Sequence, residues 1–461
     1  MTENTFTSAS DQQPPEPASS QYSPVINRRT DSRAAGQDLS GYNTPFYLYD
    51  MGLLHKTLDH LSMSAARHQY NVHYAMKANH ETKVLDAVRQ HGFGIDCVSG
   101  PEILAALDQG FSPDSIVFAG VGKTDSELRL GLESGILCFN CESLEELAVI
   151  AEIASGMDRV ARVALRVNPE VDAETHQKIT TGRSENKFGI QLPQLGQALD
   201  LCRDHHALHF MGLHFHIGSQ VTTTGPFARL CRQVNRIWQD YRIDDYGPVM
   251  LNMGGGLGID YADPDGQAVP DFDRFFAAMA RHLVVPKHIG VHFELGRSVV
   301  GQCCSLISRV LYVKKGVNKQ FLITDAGMTE LMRPALYGAE HKIENLSSGG
   351  TPQTYDVVGP ACESSDVFAS NLSLPATCRG DLLAVRSCGA YVQSMTLNYN
   401  LRPAAPAVFD YSSLGKTFLP SCKAFLPANG KVSPSSKIVF SSCKTVSPSC
   451  SLHEPLAAEI V

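Results

Sequence analysis

Between Asn71 and Glu294 the chain alternates short apolar runs with amphipathic stretches, and this alternation limits its fold more than any other feature. The runs cover residues 71–75, 93–98, 115–119, 136–140, 162–168, 208–217, 248–252 and 289–294. Between them stand helical patterns such as Glu102-Ile103-Leu104-Ala105-Ala106-Leu107 and Leu144-Glu145-Glu146-Leu147-Ala148-Val149-Ile150. Strands that alternate with helices pair in parallel, because each return crossover needs a helix. Eight such units are the count of a (β/α)8 barrel, with a doubly wound sheet as the competing arrangement. The count favours an α/β barrel over residues 71–297.

Beyond Arg297 the texture changes. Residues 305–313, 320–324 and 381–385 read as strands separated by Gly and Pro turns, without long helices. They predict a second, all-β domain over 298–410, a β-barrel or sandwich. Residues 41–70 are expected to supply a strand, near 45–49, and a helix joining the β domain to the barrel. Residues 1–40 are rich in Ser, Thr, Gln and Pro and lack a basic-then-apolar signal, so they are expected to be a disordered leader. From 411 to 461 the chain is dense in Ser, Pro, Lys and Cys with little periodicity, an atypical low-complexity tail.

Composition narrows the function by exclusion. A net charge of -8 gives no reason to expect nucleic acid or an anionic membrane as partner. No apolar run approaches the ~18 residues that would span a bilayer. The thirteen cysteines are odd in number and scattered. Cys138-Phe139-Asn140-Cys141 has no second pair at a zinc-like interval, so no metal site is expected. Without a secretory signal, free thiols in a reducing cytoplasm are the default.

Catalytic residues of such a barrel lie at the carboxyl ends of its strands. Those ends hold Lys77, Asp96 with Ser99, Arg166-Val167-Asn168, His214 to Ser219, Gly254-Gly255-Gly256-Leu257-Gly258 and Glu294-Leu295-Gly296-Arg297. Burial disfavours an ammonium, so Lys77 is expected to have a lowered pKa and to serve as an amine nucleophile. A Schiff base on such a lysine is how pyridoxal phosphate is held. The glycine run would let backbone N–H groups cradle a phosphate, with Ser219 and Gly296 as further donors. It is not a Walker loop, because no GKS or GKT follows, and its spacing is not that of a Rossmann turn. Glu294 could keep a pyridinium nitrogen protonated, and His216 could stack on the ring. Each residue alone has a bland reading, such as a snorkelling lysine, a core histidine or a turn. Their joint placement is harder to attribute to chance.

These residues lie in longer matching stretches: YAMKAN (74–79), RVNPEVDAETH (166–176), TGRSENKFGI (181–190), GLHFHIGSQ (212–220), MGGGLGIDY (253–261), DAGMTELMRPALY (325–337), VVGPACES (357–364) and GAYVQSMTLNYNLRP (389–403). From about residue 40 to 408 the chain resembles the fold-type III pyridoxal-phosphate decarboxylases, and among them the diaminopimelate decarboxylases. The resemblance implies that Lys77 carries the cofactor, His216 stacks on it and Glu294 pairs with its nitrogen. Asp96, Arg166, Ser219, Gly254, Gly255, Gly256, Leu295, Gly296, Arg297 and Tyr391 would complete the cofactor site. Arg297, Arg333, Tyr337, Glu363 and Tyr391 would bind substrate, and Cys362 would donate a proton. Cys362 and Glu363 would reach in from the second subunit of a homodimer. The reaction implied is loss of carbon dioxide from meso-2,6-diaminopimelate to give L-lysine. Leu295, Ser365 and Val392 stand where the family usually has proline, glycine and glycine, and the end of the chain lacks the family's arginine-rich strand and acidic helix. Rival readings are a racemase, an ornithine-, arginine- or carboxynorspermidine-type decarboxylase of this fold, a cofactor carrier with the barrel alone, and a catalytically impaired homologue.

Overall fold

The computed structural model describes residues 39, 41–171 and 187–413. The expected leader apart from Leu39, the motif residues 172–186 and the expected tail from 414 lie outside the described residues. The first strand, β1 (Phe46–Asp50), leads into a helix over Met51–Arg67, whose start is capped by the Asp50 carboxylate accepting from Leu53 N–H. Eight parallel strands follow and close into a barrel: β2 (Tyr70–Ala75), β3 (Gly94–Cys97), β4 (Ile116–Phe118), β5 (Cys138–Cys141), β6 (Ala161–Arg166), β7 (Leu208–His214), β8 (Met250–Asn252) and β9 (Gly290–Leu295). Each of the eight apolar runs is a barrel strand. β7 stops at His214, three residues before the end of its run, where the chain turns into the loop bearing Ser219.

Several turns from strand to helix use the same device. Ser99, Thr124 and Ser143 cap the helices Gly100–Asp108, Asp125–Ser134 and Leu144–Gly156, each accepting from the N–H of a glutamate three residues on. Glu102 and Glu127 reach back to accept from Val98 and Gly100 N–H, so these sharp turns leave few polar groups unsatisfied. Outside the barrel, Phe275 and Phe276 of the helix Phe272–His282 pack on Phe293 of β9, with ring centroids 5.6 and 5.0 Å apart. Burying one such ring contributes about 1.5–3 kcal/mol, which seals the closing strand against its helices.

Inside the barrel, side chains stack in layers drawn from alternate strands. One apolar cluster joins Val117, Cys138, Ala164 and Met250, a filling of the usual kind. Toward the carboxyl ends, β3, β5, β7 and β9 supply Asp96, Asn140, His214 and Glu294, all buried. A fully polar layer in a barrel core is costly unless its members satisfy one another.

The second domain is an eight-stranded sheet: β10 (Cys304–Lys315), β11 (Gln320–Thr324), β12 (Ile343–Asn345), β13 (Pro352–Val358), β14 (Val367–Pro375), β15 (Leu382–Val385) and β16 (Ala407–Asp410), together with β1. Along its twelve residues β10 pairs first with β1 and β15, then from Val310 onward with β11, with an irregularity between Val310 and Tyr312. A bulge of this kind lets one strand serve both halves of a folded-over sheet. β1 thus precedes the barrel in sequence but pairs with β10 and β16 of the β domain. Leu39, inside the range expected to be disordered, packs with Phe46, Leu48, Ile307 and Ala384. Among the described residues no helix is long and apolar enough to cross a membrane.

Candidate active site

Lys77 leaves β2 in a single 3-10 turn, Met76–Ala78, which turns its side chain into the mouth of the barrel. Its Nζ lies 3.2 Å from Oδ2 of Asp96. The lowered pKa expected for this lysine is not what the site produces. Burial acts downward and is the largest single influence, but the Asp96 carboxylate, Tyr391 and Glu294 together outweigh it and raise the ammonium above its ordinary value. Asp96 is pushed up to about 7, first by burial and then by Glu294, against the pull of Lys77. One ammonium is therefore shared by two buried carboxylates.

Glu294 is the more firmly ionised of the two. Burial alone would raise its pKa, yet His214, Lys77 and His216 reverse that and hold it below the usual carboxylate range. Its Oε1 accepts from Asn140 Nδ2 at 3.0 Å and Asn252 Nδ2 at 2.7 Å, and its Oε2 accepts from His214 Nε2 at 3.0 Å. Three donors on one carboxylate favour the charged form. Asn140, Asn252 and His214 carry no role in the sequence reading. Their signal was the strand register, since Asn140 and His214 occupy on β5 and β7 the layer that Asp96 and Glu294 occupy on β3 and β9.

His216 Nδ1 accepts the N–H of Gly255 at 3.2 Å, which leaves the proton on Nε2. Burial, with Arg166 and Lys77 nearby, keeps this imidazole neutral. The glycine run is more constrained than a simple cradle. Gly254 N–H is taken by Asn252 Oδ1 at 2.9 Å, and Gly255 by His216, so of the three glycines it is Gly256 that lines the cavity. A Cβ on Gly255 would fall 1.8 Å from the Glu294 carbonyl oxygen, and Gly254 has a φ of +67°. Glycine is required here because loop and strand backbones touch.

A cavity at the mouth of the barrel is lined by Lys77, His216 and Glu294 together with Ser219, Gly256, Leu295, Gly296, Arg297 and Tyr391. Three buried polar atoms on residues bonded to Lys77 or Glu294, Asp96 Oδ1, Asn140 Oδ1 and His214 Nδ1, have no hydrogen-bond partner within the protein. A lysine, an ionised carboxylate, a neutral imidazole and a glycine-lined rim around such a cavity fit pyridoxal phosphate.

Arg297 donates from Nε and Nη2 to Ser219 Oγ at 3.3 and 3.0 Å, and its guanidinium lies 4.8 Å from the ring centre of Tyr391. Tyr391 has a φ of +57°, fixed by its N–H donating to the Ala78 carbonyl at 2.8 Å, beside a fully buried Val392. Arg333 and Tyr337 begin and end one short helix, Arg333–Tyr337. Arg166 does not line the cavity. It is ion-paired with Glu142, buried, and packed on the Phe188 ring at 4.7 Å, so it supports the site from behind. Cys362 and Glu363 are not among the lining residues either: they are exposed on the turn between β13 and β14. That turn is anchored by Asp366, whose carboxylate accepts from Met328 N–H at 2.6 Å and Ala361 N–H at 2.7 Å. Tyr261 and His341, both in contact with Arg333, were also missed by sequence reasoning.

A closed barrel with this lysine, carboxylate and imidazole at its mouth defines a class, the barrel enzymes that hold pyridoxal phosphate. Residues 55–301 match the family model described as pyridoxal-dependent decarboxylase, pyridoxal binding domain, over more than half the chain. The chain is 52% identical over 360 residues to the diaminopimelate decarboxylase of Bacteroides thetaiotaomicron, covering 78% of this chain and 93% of that protein. The crystal structure of Helicobacter pylori diaminopimelate decarboxylase complexed with L-lysine is 35% identical, with a TM-score of 0.76 and coverage of 80% of this chain and 92% of that one. A lysine/ornithine decarboxylase from Vibrio vulnificus, complexed with putrescine, is 20% identical at a TM-score of 0.70, covers 81% of this chain and 96% of that one, and shows the shared fold alone. The chain belongs to the pyridoxal-dependent decarboxylases, in the diaminopimelate decarboxylase branch.

Proposed function

We infer that this chain removes carbon dioxide from the D-centre of meso-2,6-diaminopimelate and leaves L-lysine, with pyridoxal phosphate at the mouth of the barrel. The observation that carries the reading is Glu294, a carboxylate held ionised by three donors and lining the same cavity as Lys77. A racemase of this fold would be expected to place arginine there. When bound, the protonated ring of the cofactor takes up the electron pair released as the substrate carboxylate departs.

The residues of the chain then divide the work. Lys77 would hold the cofactor covalently, with Asp96 beside it to receive its charge once the substrate amine takes its place. Neutral His216 would lie against the ring face, oriented by Gly255. Ser219, Gly256, Gly296 and Tyr391 would take the phosphate and ring edge, while Gly254 and Leu295 shape the wall and Arg166 backs it. Arg297, Arg333 and Tyr337 would grip the distal amino-acid head of the substrate. The Cys362 thiol would return a proton to Cα, and Glu363 would meet the distal ammonium.

Those last two residues would act in the cavity of a second copy, making a homodimer with shared sites. Their exposure supports this, as do exposed Leu397, Tyr399 and Leu401 on the neighbouring segment, where Tyr399 OH donates to the Cys362 carbonyl at 3.3 Å. The described cysteines are free thiols, in keeping with a reducing cytoplasm.

Carbon dioxide release from meso-diaminopimelate, L-ornithine, L-arginine and L-lysine tests the reading. The expected result is a kcat/KM for diaminopimelate at least a hundredfold above the others. Faster release from ornithine or lysine would overturn the reading even with the fold intact.

A further inference from the structure

Arg297 and Arg333 are both buried, at 7% and 6% exposure. Their hydrogen bonds go to neutral groups: Arg297 to Ser219 Oγ and, from Nη1, to the Tyr261 hydroxyl at 2.5 Å; Arg333 from Nη1 to His341 Nε2 at 2.8 Å. Among the described residues no carboxylate pairs with either. Two buried cations without a counter-charge are costly, and each raises the cost of the other.

Tyr261 stands between them. Its ring centre lies 4.7 Å from the Arg333 guanidinium and 5.9 Å from that of Arg297. The electron-rich face attracts one cation while the hydroxyl oxygen accepts from the other. His341 meets the Tyr261 ring edge-on at 4.9 Å. It donates from Nδ1 to the Arg386 carbonyl at 2.8 Å, which leaves Nε2 free to accept from Arg333. Burial and the adjacent Arg333 push the His341 pKa down to about 3, so it stays an acceptor at working pH. The loop bearing Tyr261 is itself pinned to the β domain, because Asp265 binds Arg386 in two places, at 2.8 and 3.3 Å.

We propose that Tyr261 is the positioning residue that sets specificity in the distal subsite, holding two guanidiniums side by side without a counter-ion so that a ligand is bound well only if it brings a carboxylate. The choice of ligand rests on the diaminopimelate reading; the demand for a carboxylate does not. Two probes separate the two ideas. L-Lysine presents the amino-acid head that the L-centre of diaminopimelate would present, and cadaverine is the same chain without the carboxylate.

The test measures dissociation constants of L-lysine and cadaverine for the cofactor-loaded wild type, Tyr261→Phe and Tyr261→Leu, beside KM and kcat for diaminopimelate. Visible absorbance of the cofactor checks that each variant is loaded. Wild type should prefer L-lysine by about a hundredfold or more. Tyr261→Phe, which keeps the ring and loses the hydroxyl, should weaken L-lysine about tenfold, with the loss appearing in KM rather than kcat. Tyr261→Leu should reduce the preference over cadaverine to under about tenfold. If L-lysine affinity stays within about twofold in both variants, or lysine, cadaverine and kcat all fall together, the proposal is overturned. Should Tyr261→Leu fail to fold, Tyr261→Phe decides alone. If wild type does not turn over diaminopimelate yet its preference for L-lysine depends on Tyr261, the functional reading fails and the specificity role stands.

Discussion

The polar layer inside the barrel and the exposed turn carrying Cys362 and Glu363 are opposite ways of placing polar side chains. In the barrel, Asp96, Asn140, His214 and Glu294 come from four alternate strands and are buried, with Asn140 and His214 holding Glu294 and Lys77 pairing with Asp96. On the β domain, Cys362 and Glu363 sit on a turn in solvent, held from behind by Asp366. The barrel half is preorganised within one chain. The turn presents its groups outward. The difference teaches that electrostatic tuning is done where strands enclose the groups, while an exposed turn can act in a site only if assembly brings one to it, as the proposed function requires.

The largest expected effect lies in the barrel. Lys77→Ala should abolish turnover, and borohydride reduction of the wild type should fix the cofactor to the peptide containing Lys77. Lys123 is the natural control: its Nζ is consumed by the Gly120 and Asn140 carbonyls and by Glu146, and its side chain is 1% exposed. Label on Lys123 would break the assignment of the barrel half. Arg333→Ala comes next. It leaves the distal carboxylate of the bound substrate without one of its guanidinium partners and, by the usual cost of removing one member of a buried ion pair, ~3–5 kcal/mol, should lower kcat/KM for diaminopimelate more than a hundredfold. An unchanged kcat/KM would place the distal subsite elsewhere.

The turn should respond more mildly and differently. Asp366→Ala removes two carboxylate hydrogen bonds to backbone N–H, each worth roughly 1.5–3 kcal/mol, and should cost tenfold or more in kcat while cofactor binding holds. Loss of the cofactor instead would show that the turn and the barrel are not separable. The smallest effect is on stability. The Asp96 carboxyl is raised to about 7 in the folded protein, so its contribution is fully present below its unfolded value and lost as pH rises through about 7. Protein stripped of cofactor should therefore lose Tm between about pH 4 and pH 7 relative to Asp96→Asn. Parallel Tm curves for the two proteins would contradict the burial argument for Asp96.

The same contrast explains what the sequence made legible. The eight strands could be read from apolar runs because each strand is buried on both faces and carries a local signature. That Lys77, His216 and Glu294 line one cavity was legible because the carboxyl ends of barrel strands converge at its mouth. The direction of the Lys77 pKa was not, because it depends on Asp96 and Glu294 from two other strands and a rule about burial sees only one. Arg166 lies in a matching stretch, yet its charge is spent on Glu142, a partner 24 residues away that no spacing rule selects. Tyr261 and His341 meet only when the loop after β8 folds onto the β domain. The glycine run was recognised as a loop that must lack side chains, but the constraint is backbone contact with Glu294 more than phosphate alone.

The sharing of one site between a barrel and a turn of different copies is tested most directly by mixing two dead proteins. Lys77→Ala keeps the turn and loses the barrel; Cys362→Ala keeps the barrel and loses the turn. After verified subunit exchange, the mixture should recover about a quarter of wild-type activity, since half the dimers are mixed and each carries one intact site. No recovery from a fully exchanged mixture would contradict the account.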